Sequence, residues 1–132
     1  MKYLKGTLVL FVATFLFAVV GAKAATLTIV GKTIPRFSGS YISPQREKFI
    51  DTRQYVTKES CIDDWDGSGR VILAKLQGMY SGNVDTAWVE AKPKTRVAFN
   101  ANSEVIGAWR LWLKSQKSLP STATYNGTWD YE

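Results

Sequence analysis

Between residues 105 and 132 apolar side chains recur at every second position, and this alternation constrains the fold more than any other feature of the chain. The run V-I-G-A-W-R-L-W-L-K puts Trp109, Leu111 and Leu113 on one side of an extended strand and Ala108, Arg110, Trp112 and Lys114 on the other, because strand side chains alternate between faces. A polar segment containing Pro120 follows. The run T-A-T-Y-N-G-T-W-D-Y-E then alternates again, with Tyr125, Gly127, Trp129 and Tyr131 sharing a face. Two alternating runs joined by a polar loop predict a terminal β-hairpin, with Trp109, Leu111, Leu113 and Trp129 in the core.

The upstream sequence has the same texture. Residues 25–30 are β-branched and alternating, and Gly31 reads as their end. Residues 33–42 form a second extended stretch, in which Pro35 fits only an edge or a strand start. A short helix is conceivable at 45–50. Strands are expected over 52–62, over 70–80 with Ile72, Ala74 and Leu76 on one face, over 84–92 carrying Trp88, and over 94–100. Turn residues recur at roughly 8–12-residue spacing and no amphipathic helix stands out. The expected fold is all-β, a small antiparallel β-sandwich of seven or eight strands.

The N-terminal 24 residues read differently. A short basic start containing Lys2 and Lys5 precedes an uncharged, almost wholly apolar run over 7–20, and Ala22 and Ala24 supply an A-x-A cleavage site. These are the three parts of a secretory signal peptide, and the apolar run is short against the ~20 residues that a membrane span needs. The expected organisation is a signal peptide over 1–24 and one domain over 25–132, exported to the cell exterior. Cleavage removes Lys2, Lys5 and Lys23 and halves the formal net charge of +6 to +3. That modest excess suits solubility or contact with an anionic envelope rather than nucleic acid. Cys61 is the only cysteine, so no intramolecular disulfide can form and the core must hold the domain. Its expected role is a small buried apolar side chain.

The absence of histidine excludes Ser–His–acid and Cys–His catalysis, and a single cysteine cannot build a thiolate zinc cage. The chain is expected to be non-enzymatic and, calcium apart, without a cofactor. In the loop D-D-W-D-G-S-G, Asp64, Asp66 and Ser68 take the first, third and fifth places of a calcium loop, but the twelfth falls on Lys75 where a glutamate is needed. The EF-hand reading fails, and a looser calcium site remains a candidate. Trp65 stands among these acids as a candidate binding residue. Trp112, on the outer face between Arg110 and Lys114, is the other: a flat aromatic platform flanked by cations, suited to an anionic glycan or a membrane surface. The plainer alternative is an indole covered by the stems of those cations. A carboxylate hydrolase would draw on Asp63, Asp64, Asp66 or Asp85.

The signal peptide, the segment T-I-P-R-F-S-G-S-Y over 33–41 and the ending Y-N-G-T-W-D-Y over 125–131 resemble the small exported β proteins of Gram-positive bacteria, including the lactococcin-type bacteriocin group. The resemblance implies export and action at the envelope of related bacteria. This chain is longer than those proteins and lacks histidine, and the resemblance assigns no residue a role. The expected function is therefore a secreted, non-enzymatic, bacteriocin-like protein that binds a cell-envelope component or surface glycan. The alternatives are a carbohydrate- or calcium-binding extracellular module and a small carboxylate-based hydrolase.

Overall fold

A computed structural model describes residues 25–132; the signal-peptide reading falls on residues outside them. Among the described residues nine strands follow one another: β1 (Thr26–Ile34), β2 (Ser40–Ile42), β3 (Arg46–Lys48), β4 (Tyr55–Asp63), β5 (Ile72–Gly78), β6 (Val89–Ala91), β7 (Arg96–Ala98), β8 (Gly107–Ser115) and β9 (Ala123–Asp130). A 3-10 turn, Ala101–Glu104, separates β7 from β8. The strands build two antiparallel sheets, one in the order β1-β9-β4-β7 and one in the order β2-β8-β5-β6 with β3 also paired to β8. The all-β sandwich expected from the alternation is the fold.

The expected terminal hairpin is not. Strand β8 pairs with β2, β3 and β5, whereas β9 pairs with β1 and β4, so the two runs lie in opposite sheets. Both carry one apolar face, and pairing them side by side would leave those faces without a cover. Placed in opposing sheets they cover each other: Trp109, Leu111 and Leu113 from β8 and Ala123, Tyr125 and Trp129 from β9 are all fully buried in one core. The connection over 116–122 is long enough to step between sheets ~10 Å apart, and it lacks the Asn-Gly or Asp-Gly pair that favours a tight hairpin.

Smaller expectations also change, and the stretch over 33–42 divides into the end of β1, a turn over 36–38 and β2. Gly31 does not end the first strand; with φ +61 it sits in a bulge between Ile29 and Lys32, and β1 continues to Ile34. A bulge absorbs one extra residue and keeps the pairing alive on either side. Residues 45–50 hold strand β3 rather than a helix, since six residues cannot nucleate one without tertiary support. The strand expected over 84–92 shortens to β6. Before it, Thr86 bonds the Leu76 backbone in both directions, its N–H donating to the carbonyl oxygen at 3.0 Å and its hydroxyl accepting from the N–H at 2.9 Å.

The core is completed by Ile72, Ala74 and Leu76 of β5, Val56 and Cys61 of β4, and Ile29 and Ile34 of β1. Its tryptophans are satisfied: the Trp129 indole N–H donates to Gln54 Oε1 at 2.9 Å and that of Trp109 to the Val105 carbonyl at 3.0 Å. Burial pushes the Cys61 thiol up to about 11. Gly127 marks a close approach, because a side chain there would collide with the Thr57 carbonyl and the Tyr125 ring.

Candidate functional site

The residues picked out by sequence fall on two separate surfaces. The first is the end of the sandwich formed by the turn after β1, the β4–β5 loop and the β8–β9 connection. Asp63, the last residue of β4, organises it. One carboxylate oxygen accepts from the backbone N–H groups of Trp65 at 2.8 Å and Asp66 at 3.1 Å; the other accepts from the Ser121 hydroxyl at 2.6 Å and from the Arg70 guanidinium. The Ser121 hydroxyl, then the two backbone donors and Arg70, hold the Asp63 carboxyl well below the usual carboxylate range, against an opposing push from burial. Arg70 is buried and spans the loops, donating also to the Ser115 hydroxyl at 3.2 Å and the Ser121 carbonyl at 2.9 Å.

This bracing sends the three acids in different directions. Asp64 accepts from the hydroxyls of Thr122 and Thr124, both at 2.7 Å, which lowers its pKa. Asp66 accepts from the backbone and hydroxyl of Ser68 at 2.9 and 2.6 Å. The calcium candidates Asp64, Asp66 and Ser68 are thus engaged in loop and strand bonds. Among the described residues no group of three or more acidic, cysteine or histidine side chains is placed to hold a metal. Trp65 projects from the same loop and is 89% exposed. Concavities of about 500 and 270 Å³ border its indole. Phe37, from the turn after β1, is 64% exposed at the same end. Phe37 and Ser38 are consecutive non-glycine residues in the left-handed region, at φ 56 and 61. Each such conformation costs ~1–2 kcal/mol; the Phe37 N–H donates to the Leu119 carbonyl at 2.8 Å.

The second surface is the outer face of the five-stranded sheet. The register sets Lys75 of β5 opposite Trp112 of β8, Gln77 opposite Arg110 and Leu73 opposite Lys114. Trp112 is half-buried, and its indole N–H donates to Gln77 Oε1 at 2.9 Å. It is not an open platform between Arg110 and Lys114. The Lys75 ammonium lies 5.2 Å from the centroids of both Trp112 and Trp88, and Lys114 lies 4.3 Å from that of Trp88. The result is an alternating Trp112–Lys75–Trp88–Lys114 array. Lys75 has a distant carboxylate partner in Asp85 at 3.9 Å. Among the described residues neither Arg110 nor Lys114 forms an ion pair, and Arg110 Nε is buried without a hydrogen-bond partner. Glu90 of β6 faces Leu73 at the edge of this surface. The sequence reading did not bring Lys75, Gln77 or Trp88 together with Trp112. The alternation in 72–78 does put Lys75 and Gln77 on an outer face, but only the strand order brings them beside Trp112.

Asp85 lies at the far end from Asp63, where it accepts from the Gly78 N–H at 3.0 Å. Asp85 is therefore not brought together with Asp63, Asp64 and Asp66. A concavity of about 470 Å³ at that far end holds Asp51, Glu104 and Glu132. Arg53 pairs with Glu104 there at 3.3 Å, and Arg96 covers the Tyr55 ring at 3.5 Å while reaching Asp130 at 3.2 Å. Comparison with protein-family models, with curated proteins and with solved structures returned no match to this chain.

Proposed function

We propose that this chain is an exported, non-enzymatic protein that binds the bacterial cell envelope, and that the outer face of the five-stranded sheet holds an anionic envelope polymer. The observation that carries the reading is the array of Lys75 and Lys114 against Trp88 and Trp112, with Arg110 beside it. Strands β5 and β8 fix the backbone under these side chains, and the indoles restrain the lysine stems. Fixed cations lose less freedom on binding than free ones, and an excess of positive charge on one face attracts anionic partners. Asp85, Glu90 and Glu47, which is set opposite Ala108, offset part of that charge at the borders, so the attraction is centred on Trp112 and Lys114 with Arg110 beside them.

Titration of the purified protein with soluble polyanions tests this. Inorganic polyphosphate and polygalacturonate should bind and perturb tryptophan emission, while a neutral glucan should leave the lysine-flanked indoles unchanged. Binding should weaken steeply as salt shortens the screening length from ~10 Å at 0.1 M to ~3 Å at 1 M. Replacing Lys75, Arg110 and Lys114 with glutamine should abolish it. Equal binding by that variant, or no binding by the wild type, refutes the assignment of this face. Growth inhibition of Gram-positive indicator strains by the same preparations reads out the bacteriocin-like action that the sequence resemblance implies.

A further inference from the structure

The loop end calls for a different ligand. Trp65 gains nothing from the core, yet the loop that displays it is tightly built: Asp63 binds the N–H groups of Trp65 and Asp66, Asp66 binds Ser68, and Arg70 ties the loop to Ser115 and Ser121. The backbone beneath the indole is therefore set before any ligand arrives, which lowers the ordering cost of binding. The larger concavity beside it, about 500 Å³, has Leu119 and Pro120 as its apolar wall, and its size falls within the ~300–1,000 Å³ of small-ligand clefts.

Apart from the Trp65 indole N–H, the side-chain polar atoms left free in that cleft are acceptors. Asp66 Oδ2 accepts no hydrogen bond among the described residues, and the Ser68 hydroxyl, having donated its hydrogen to Asp66 Oδ1, keeps lone pairs free. A flat aromatic surface next to an edge of acceptors fits a ligand with one apolar face and a rim of O–H donors. A sugar ring has this form: its C–H face lies on an indole and its hydroxyls donate to a carboxylate. The exposed carboxylates of Asp64 and Asp66 oppose an anionic glycan. The smaller concavity continues past the indole towards Arg36 and Thr122, so a chain of sugars has room on both sides of the ring.

We infer that Trp65 and the cleft it shares with Leu119, Pro120, Asp66 and Ser68 form a binding site for an uncharged oligosaccharide. The site is distinct from the polyanion face, and it makes the protein a two-handed binder of surface polymers.

The test is a printed array of neutral oligosaccharides of four or more sugars probed with the whole protein, followed by titration of the strongest binder with tryptophan emission as the readout. Binding should shift that emission and survive high salt. Trp65→Ala should lower affinity by about tenfold or more, Trp65→Phe by less, and neither should move the melting midpoint. The triple glutamine variant of the sheet face should bind the oligosaccharide as the wild type does, which separates the fate of this site from that of the polyanion face. No neutral oligosaccharide bound at millimolar concentration, or unchanged affinity in Trp65→Ala, overturns the inference.

Discussion

Trp112 and Trp65 both reach the surface, and they differ in what holds them. Trp112 stands on a central strand, half-buried, with its N–H given to Gln77 and its ring facing Lys75. Trp65 stands on a loop, 89% exposed, with only its backbone tied down. The sheet face is built from side chains that stabilise one another, so its charge is displayed by a structure that exists anyway. The loop end spends its hydrogen bonds on the backbone and leaves the indole free. A residue used for both packing and contact should reveal itself in stability when removed; one used for contact alone should not.

The sharpest way to break this contrast is to remove the brace of the loop end. Arg70→Met leaves Asp63 buried without its cation, and loss of one member of a buried pair is strongly destabilising. We expect the thermal midpoint to fall by more than about 10 °C, read by circular dichroism, whereas Lys75→Gln on the sheet face, which gives up two cation–π contacts, should lower it by only a few degrees. Next in size is Trp112→Ala, which strands Gln77 and removes the ring beneath Lys75. It should cost about 1–2 kcal/mol in denaturant unfolding. A smaller cost would mean that the indole contributes nothing to the sheet.

Acid separates the two regions further. Hydrogen bonds from Ser121 and from Thr122 and Thr124 hold Asp63 and Asp64 below the ordinary range, and an unfolded aspartate titrates near about 3.9. A depressed folded pKa gives stability that is fully present above the unfolded value and is lost as pH falls through the folded one. Urea midpoints should therefore hold down to about pH 5 and then decline, and the decline should be shallower in Asp64→Asn than in the wild type. The smallest expected effect belongs to Trp65→Ala, within about 0.5 kcal/mol of the wild type. A larger loss would show that the indole is part of the fold and would weaken its claim to a ligand.

Much of the fold was legible because alternation is local. It put Trp109, Leu111, Leu113, Tyr125 and Trp129 on inner faces, and all five are buried. Cys61, expected from its residue type to be a small buried apolar side chain, is buried too. What alternation cannot supply is which strand lies beside which, and β8 and β9, adjacent in sequence, went to opposite sheets for that reason. Buried charge was equally hidden. Lys58 occurs in a polar-looking run, yet it is buried, with its ammonium donating to the Arg70 carbonyl at 3.0 Å. Lys48 is buried too, bonded to the Thr52 hydroxyl and the Tyr131 carbonyl. In each case the partner comes from a distant or loop backbone that no periodicity announces. The candidate surfaces were half legible. Trp65, Arg110, Trp112 and Lys114 could be picked out by composition and spacing, but Lys75 and Trp88 joined Trp112 only through the β5–β8 and β5–β6 pairings.

Envelope binding is tested most directly by co-sedimentation of the purified protein with isolated Gram-positive cell envelopes at low and high salt, comparing the wild type with the variant in which Lys75, Arg110 and Lys114 are all glutamine. The wild type should pellet with the envelopes at low salt and lose most of that binding at high salt, while the folded variant should show at both only the small salt-independent fraction that the Trp65 cleft holds. A wild type that never pellets, or a variant that pellets as the wild type does, would contradict the account.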